Sequence, residues 1–222
     1  MTTTLGPLYE RMRPTTFAEV VGQEKCLRRL EIMRQNTGFD GRAFFMAAPS
    51  GTGKTTIARL IAGDVADPMN VMEVDATGLS AAAIVEIERS IRCYGMGEKT
   101  GRAVIINEAH GLNKAAVRQL LTTLERIPSH CCWIFTTTDD GAESLFDGID
   151  AHPLLSRCIE LPMSRRPGAR LIAERLRIVA QAEGLDGQDI NFYVELVKQN
   201  RNDWRGCYQF IESGGCIVEE AV

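Results

Sequence analysis

The sequence predicts an α/β fold: a parallel five-stranded sheet flanked by helices, followed by a small all-helical domain. Three observations predict it. Short apolar runs bounded by turn residues alternate with stretches of helical periodicity, the pattern of a parallel sheet covered on both faces. A glycine-rich loop joins the first of those runs to a helix. Beyond about residue 164 only helical periodicity remains.

Residues 1–14 read as irregular and end in Arg13-Pro14. Phe17 to about Met33 has a helical pattern, broken near Gly22, and Asn36, Gly38 and Gly41 then mark a loop. Ala43 to Ala47 is the first buried strand, and a helix runs from Thr55 to Ala62. Val71 to Asp75 is the second strand. Ser80 to Cys93 is helical, with Ile84, Ile87 and Ile91 at core spacing. Ala103 to Ile106 is the third strand, Asn113 to Glu125 a helix, Cys132 to Thr137 the fourth strand and Cys158 to Leu161 the fifth. The pattern changes near Ser164-Arg165-Arg166-Pro167. Helices then follow at about Gly168–Glu183, Asp189–Gln199 and Asp203–Ser213. The boundaries are therefore 1–163 for the sheet domain and 164–222 for the helical one.

Composition narrows the class. Of 222 residues, 45% are hydrophobic and 24% charged, as in a globular protein rather than a disordered one. No apolar run is long enough to cross a bilayer, and MTTTLGPLYERMRP lacks the apolar core of a signal peptide. No membrane partner is expected, and a cytoplasmic location is. The net charge of −4 means that any DNA contact needs a local basic patch. Seven cysteines form no CxxC pair, and Cys131 and Cys132 read as reduced, buried strand thiols. His110, His130 and His152 have no ligand spacing, so no metal site built from side chains alone is expected.

The central motif is Ala48-Pro49-Ser50-Gly51-Thr52-Gly53-Lys54-Thr55, continuing into Thr56. It fits G-x-x-x-x-G-K-[ST] with Ala48 in place of the first glycine, and it lies between a strand and a helix as that motif requires. Gly51 and Gly53 let backbone N–H groups close on phosphate oxygens, and the helix that starts there points its positive end at the anion. Lys54 reaches the β- and γ-phosphates and the Thr55 hydroxyl binds Mg²⁺. The extra methyl of Ala48 is tolerated if its φ is negative. A second motif, Ile105-Ile106-Asn107-Glu108, ends the third strand. A buried strand ending in two acids is the Walker B pattern, in which the first acid holds the Mg²⁺ shell and the second polarises the attacking water. Asn107 stands at the first acid position, where it keeps the hydrogen-bonding shape without the charge. It either slows hydrolysis or is tolerated because Thr55 and the phosphates hold the metal. Glu108 is the candidate base.

With these motifs the chain resembles the AAA+ ATPases, and among them the clamp-loader subunits: bacterial gamma/tau and the replication factor C small subunits. The resemblance rests on Arg13-Pro14-Thr15-Thr16-Phe17, Val20-Val21-Gly22-Gln23-Glu24, the P-loop, Glu73-Val74-Asp75-Ala76, Asn107-Glu108-Ala109-His110, Leu120 to Glu125, Thr136 to Asp139, and Leu155-Ser156-Arg157-Cys158, in family order. It implies that the sheet domain is an AAA+ module and the helical domain its lid. It implies an adenine pocket lined by Arg13, Pro14, Val20 and Val21. Thr138 would be the sensor-1 residue, with Thr137 as the alternative. Arg157 would be an arginine finger reaching a neighbouring subunit's nucleotide, and Arg205, in Asn202-Asp203-Trp204-Arg205, the sensor-2 contact. On spacing alone both arginines read as ordinary ion pairs.

The resemblance also implies ATP and Mg²⁺ as cofactors, and as partners other clamp-loader subunits in a ring, a sliding clamp, and primed double-stranded DNA held by phosphate contacts. The place of action would be the nucleoid, or a host cell if the protein is viral. DNA candidates are Arg89 and Arg92 on the helix after the second strand, Lys99 and Arg102 in the loop after it, and Lys114 and Arg118 on the next helix; each also reads as part of a solvated face.

Three features depart from the family. Asn107 replaces the Walker B aspartate. Only Cys93 lies where gamma/tau subunits carry a four-cysteine zinc module, so no zinc is expected. The chain ends at Val222, just after the lid, where clamp-loader subunits continue into a helical collar; the collar has been cut away or is naturally absent. The isolated chain is therefore expected to assemble weakly and hydrolyse ATP slowly. Two other functions stay open: a different AAA+ DNA remodeller, of branch-migration or restart type, and a nucleotide-binding interaction module with little turnover.

Overall fold

A computed structural model of the chain describes residues 6–149, 152–164 and 168–217. Residues 1–5, Arg165-Arg166-Pro167 of the expected boundary, and 218–222 up to Val222 lie outside the described residues. By internal contacts the chain forms two compact units. One comprises Lys25–Pro49 and Lys54–Met163; the other comprises Met1–Glu24, Ser50–Gly53 and Ser164–Val222.

The first unit is the sheet. In chain order it contains α2 (Glu24–Asn36, whose first residue is counted with the other unit), β1 (Arg42–Ala47), α3 (Lys54–Val65), β2 (Val71–Asp75), α4 (Ala81–Ser90), β3 (Arg102–Asn107), α5 (Lys114–Leu124), β4 (Cys131–Thr137), α6 (Asp139–Ile149), α7 (His152–Leu155) and β5 (Ile159–Glu160). The strands lie in the order β2-β3-β4-β1-β5, and each neighbouring pair is parallel. All seven residues of β4 are buried, as a central strand covered on both faces must be. Trp133 and Phe135 of β4 pack with Val104 and Ile106 of β3, Ile84 and Ile87 of α4 and Leu120 of α5. Side-chain caps fix two helix starts: Ser80 accepts the Ala83 N–H and Asn113 the Ala116 N–H.

The second unit is helical: α1 (Leu8–Arg11), α8 (Ala169–Ala182), α9 (Ile190–Gln199) and α10 (Trp204–Glu212). Leu8 is buried in one core with Leu176, Tyr193, Leu196 and Ile211. Arg11 holds Glu183 through two guanidinium donors, at 3.0 and 2.7 Å. Asp189 and Asp203 cap α9 and α10 by accepting the N–H groups of Phe192 and Arg205.

The five expected strands and the three late helices are all present within a residue or two of their expected bounds. Several details differ. Residues expected to be irregular include α1, whose Leu8 is buried in the core of the helical unit. That is also why the segment before Glu24 groups with the helical unit rather than with the sheet domain of 1–163. The helix expected to end near Met33 continues to Asn36. The helix expected to reach Cys93 stops at Ser90, so Arg92 is not on it. Arg102 belongs to β3 rather than to the preceding loop, because it pairs in register with Cys131. Two helices after β4, α6 and α7, have no counterpart in the sequence reading. Gly141 and Gly148 hide α6 from propensity, and its start is secured by the Thr138 hydroxyl oxygen, which accepts the Gly141 N–H.

Candidate nucleotide site

Four strand ends gather along one edge of the sheet. Asp75 stands beside Asn107 in the β2–β3 register, and Ala47 beside Thr137 in the β1–β4 register. In open parallel sheets the carboxyl ends of the strands are where ligands bind. The glycine-rich loop leaves this edge directly after β1. Ala48 donates its N–H to Thr137 O at 3.3 Å and is fully buried. Among the described residues only Glu108, Arg201 and Asn202 are non-glycines with positive φ, so Ala48 takes the conformation its methyl group requires.

Gly51 and Gly53 have φ of +70° and +95°, in the region that L side chains rarely adopt. Lys54 opens α3 and is only 7% exposed. Its ammonium donates to Ala48 O at 2.7 Å and Pro49 O at 2.9 Å, which holds it inside the curve of its own loop. Thr55 follows, in the first helical turn, where N–H groups have no intrahelical acceptor. This donor set of α3 fits a chain of phosphates: a buried ammonium and first-turn amides. Among the described residues no cluster of three or more His, Cys, Asp or Glu could hold a metal. The Thr55 hydroxyl and the Asn107 amide are neutral oxygen donors suited to a magnesium ion held mainly by nucleotide phosphates.

At the end of β3, Glu108 lies in the left-handed region, φ 51° and ψ 48°. A non-glycine residue there carries backbone strain, and such strain gathers at working sites. The Glu108 carboxylate is 3.5 Å from His110 Nδ1, and that nitrogen is 2.9 Å from the Thr137 hydroxyl. Gly141 makes room for this group: a Cβ on it would stand 2.5 Å from His110 Nδ1. Thr137 thus joins Glu108 through His110, while Thr138, named first for the sensor-1 role, has its hydroxyl oxygen engaged as the α6 cap. Asn107 donates to Glu73 and accepts from Thr136. His110, Glu73 and Thr136 were not singled out as site residues, although each lies inside a quoted motif.

Arg157 forms an ion pair with Glu125 and donates to Pro153 O at 2.9 Å. The hydrogen bond from Arg157, and then its charge, hold the Glu125 carboxyl below the usual glutamate range. In the helical unit, Arg205 lies over the Tyr9 ring, 5.5 Å from its centroid. The Trp204 N–H beside it donates to Gly51 O at 3.3 Å. Gln23, 2% exposed, donates to Thr52 O and Ser164 O and accepts the Ser164 N–H, so it fastens the tip of the glycine-rich loop within that unit. Of the adenine-pocket candidates, Arg13 is paired with Glu10, while Pro14, Val20 and Val21 surround a short 3₁₀ turn at Phe17–Glu19.

Four of the basic residues considered for DNA contact have partners within the chain. Arg89 is paired with Glu86 and Arg92 with Glu88, Lys99 donates to Gly63 O, and Arg102 donates to Cys93 O. Lys114 and Arg118 do share an exposed face of α5. Cys131 and Cys132 are buried and free, and burial pushes the Cys131 thiol up to about 12. No described helix is long and apolar enough to cross a membrane.

A parallel sheet with a glycine-rich loop after β1 and an acid after β3 is the P-loop α/β fold that the AAA+ class shares. Residues 44–161, more than half of the chain, match the family described as ATPases associated with various cellular activities (AAA), and the chain belongs to that family. Its relatives include DNA polymerase III gamma/tau subunits and replication factor C small subunits. It is 33% identical to DNA polymerase III subunit gamma/tau of Mycobacterium tuberculosis over 60% of this chain and 27% of that protein. It is 28% identical to the replication factor C small subunit of Natronomonas pharaonis over 96% of this chain and 65% of that protein. The chain thus spans less than two thirds of the length of these relatives. Among solved structures, the Thermotoga maritima RuvB Holliday junction branch migration motor superposes with a TM-score of 0.69 at 22% identity, over 90% of this chain and 64% of that one. A gamma-subunit-related protein of Thermotoga maritima gives 0.54 at 14% identity, over 84% and 58%. These two likenesses speak for the fold.

Proposed function

We propose that the chain is an ATP-binding and hydrolysing subunit of a clamp-loader-like assembly that acts on DNA during replication. The observation that carries this reading is the edge of the sheet, where Lys54 and Thr55 open α3 and Glu108, strained at the end of β3, faces His110 and Thr137. In this reading Lys54 and the first-turn amides of α3 bind the phosphates, and Thr55 with Asn107 faces magnesium. Glu108 takes a proton from the attacking water, with Thr137 or Thr138 orienting that water. Bound magnesium would offset phosphate charge. Arg157 would complete the site of a neighbouring subunit, and Arg205 would contact nucleotide from the helical unit. The sequence relatives support this choice of assembly.

A second reading, a nucleotide switch with little turnover, is favoured by one observation: Asn107 leaves the first Walker B position uncharged. One experiment separates the readings. ATP turnover is measured with and without primed DNA and a sliding clamp, with Arg157→Ala as control. Stimulation by clamp and DNA together, lost in Arg157→Ala, is the expected result. Stimulation by DNA alone points to another remodeller, and tight binding with no turnover under any condition points to the switch.

A further inference from the structure

The ends of β2, β3 and β4 carry a chain of polar side chains that the motifs do not predict. Arg59 on α3 donates Nε to Glu73 Oε2 at 2.8 Å and Nη2 to Glu73 Oε1 at 3.3 Å. The same Oε1 accepts Asn107 Nδ2 at 2.7 Å. Asn107 Oδ1 in turn accepts the Thr136 hydroxyl at 2.9 Å. A carboxylate only accepts, so the amide nitrogen must face Glu73 and the amide oxygen must face Thr136. An amide satisfies both neighbours at once. An aspartate at position 107 would satisfy Thr136 but would set a second carboxylate oxygen against Glu73 at hydrogen-bond distance. Two carboxylates that close do not both ionise freely, and the single guanidinium of Arg59 is already spent on Glu73.

We propose that Glu73 is the positioning residue for Asn107, and that it carries, one strand over, the carboxylate charge that the first Walker B position lacks. Glu73 is two residues before Asp75, the lateral neighbour of Asn107, so strand alternation puts Glu73 and Asn107 on the same face of the sheet. The pair keeps one negative charge and exchanges which strand bears it. Held in this way, Asn107 Oδ1 spends one lone pair on Thr136 and keeps the other, which would be available to a water of a bound magnesium ion. Restoring an acid at position 107 therefore disturbs the site unless Glu73 gives up its charge at the same time. The magnesium consequence rests on the ATPase reading; the consequence for stability does not.

The test is a double-mutant cycle of Glu73→Gln, Asn107→Asp and the double variant, melted at neutral pH without metal or nucleotide. The expected melting temperature of Asn107→Asp is about 3 °C below wild type, because two carboxylates then face each other at hydrogen-bond distance. The double variant, with amide and acid exchanged, melts as wild type. A second readout separates positioning from general support: the ratio of ATP affinities with and without magnesium falls about fivefold in Glu73→Gln and recovers in the double variant. The proposal is overturned if Asn107→Asp melts as wild type, or if the two single losses simply add. A coupled cycle in a protein whose ATP affinity ignores magnesium would uphold the pair and remove the ATPase reading instead.

Discussion

Arg157 and Arg205 were both singled out as phosphate-reading arginines, and the structure gives them opposite surroundings. Arg157, in the sheet unit, is engaged by the Glu125 carboxylate and the Pro153 carbonyl, and its Nε is buried with no hydrogen-bond partner among the described residues. Arg205, in the helical unit, rests its guanidinium on the Tyr9 ring, a contact that spends no N–H donor. The pair to Glu125 is half in solvent, with 29% and 56% of the two side chains exposed, so it adds little stability. An arginine in a half-exposed pair of this kind can exchange one acceptor for another. An arginine on a ring needs no release. The contrast teaches that two arginines alike in the sequence are held differently: one spends donors on a carboxylate and a carbonyl, the other lies on a ring.

The largest effect that would sharpen this contrast is on turnover. In the assembled state, Arg157→Ala should lower turnover about 10³-fold while leaving ATP affinity of the isolated chain unchanged. Equal loss of affinity would break the distinction between the two arginines. Next comes the support of the helix that bears Arg205. A methyl on Gly51 would stand 1.8 Å from Asp203 Oδ1, the cap of α10, and would also require φ +70°. Gly51→Ala should therefore cost about 2–3 kcal/mol, read as a melting temperature several degrees lower. Gly53→Ala meets open space and should cost about 1 kcal/mol, from strain alone. Arg205→Ala should weaken ATP binding about tenfold, by titration calorimetry, with little change in melting temperature.

The smallest effect is a titration. Because Arg157 holds Glu125 low, the pair is intact above the ordinary glutamate pKa and is lost as pH falls through the depressed one. A carboxyl-carbon NMR titration should place Glu125 below the usual glutamate midpoint, and Arg157→Ala should return it there.

The strands were legible because a parallel sheet buried on both faces writes itself as short continuous apolar runs, as Cys131 to Thr137 shows. The phosphate loop was legible because glycines, lysine and threonine act within eight residues. The Glu73–Asn107–Thr136 chain was not, since it joins three strands whose adjacency is tertiary. Nor was the placement of α1, whose single buried leucine acquires meaning only from the core it enters. The ion pairs of Arg89 and Arg92 were not legible for a related reason. Their spacing marks a shared face, but acids three and four residues earlier on the same chain neutralise it.

The central claim is that the loop before α3 binds nucleotide through Lys54. Equilibrium titration of MgATP into the folded chain tests it most directly, with Lys54→Ala beside it. Saturable one-to-one binding, weakened at least about 100-fold in a Lys54→Ala protein that melts normally, is the predicted result. Binding that is equally strong without the Lys54 ammonium, or no binding to the wild-type chain, would contradict the account.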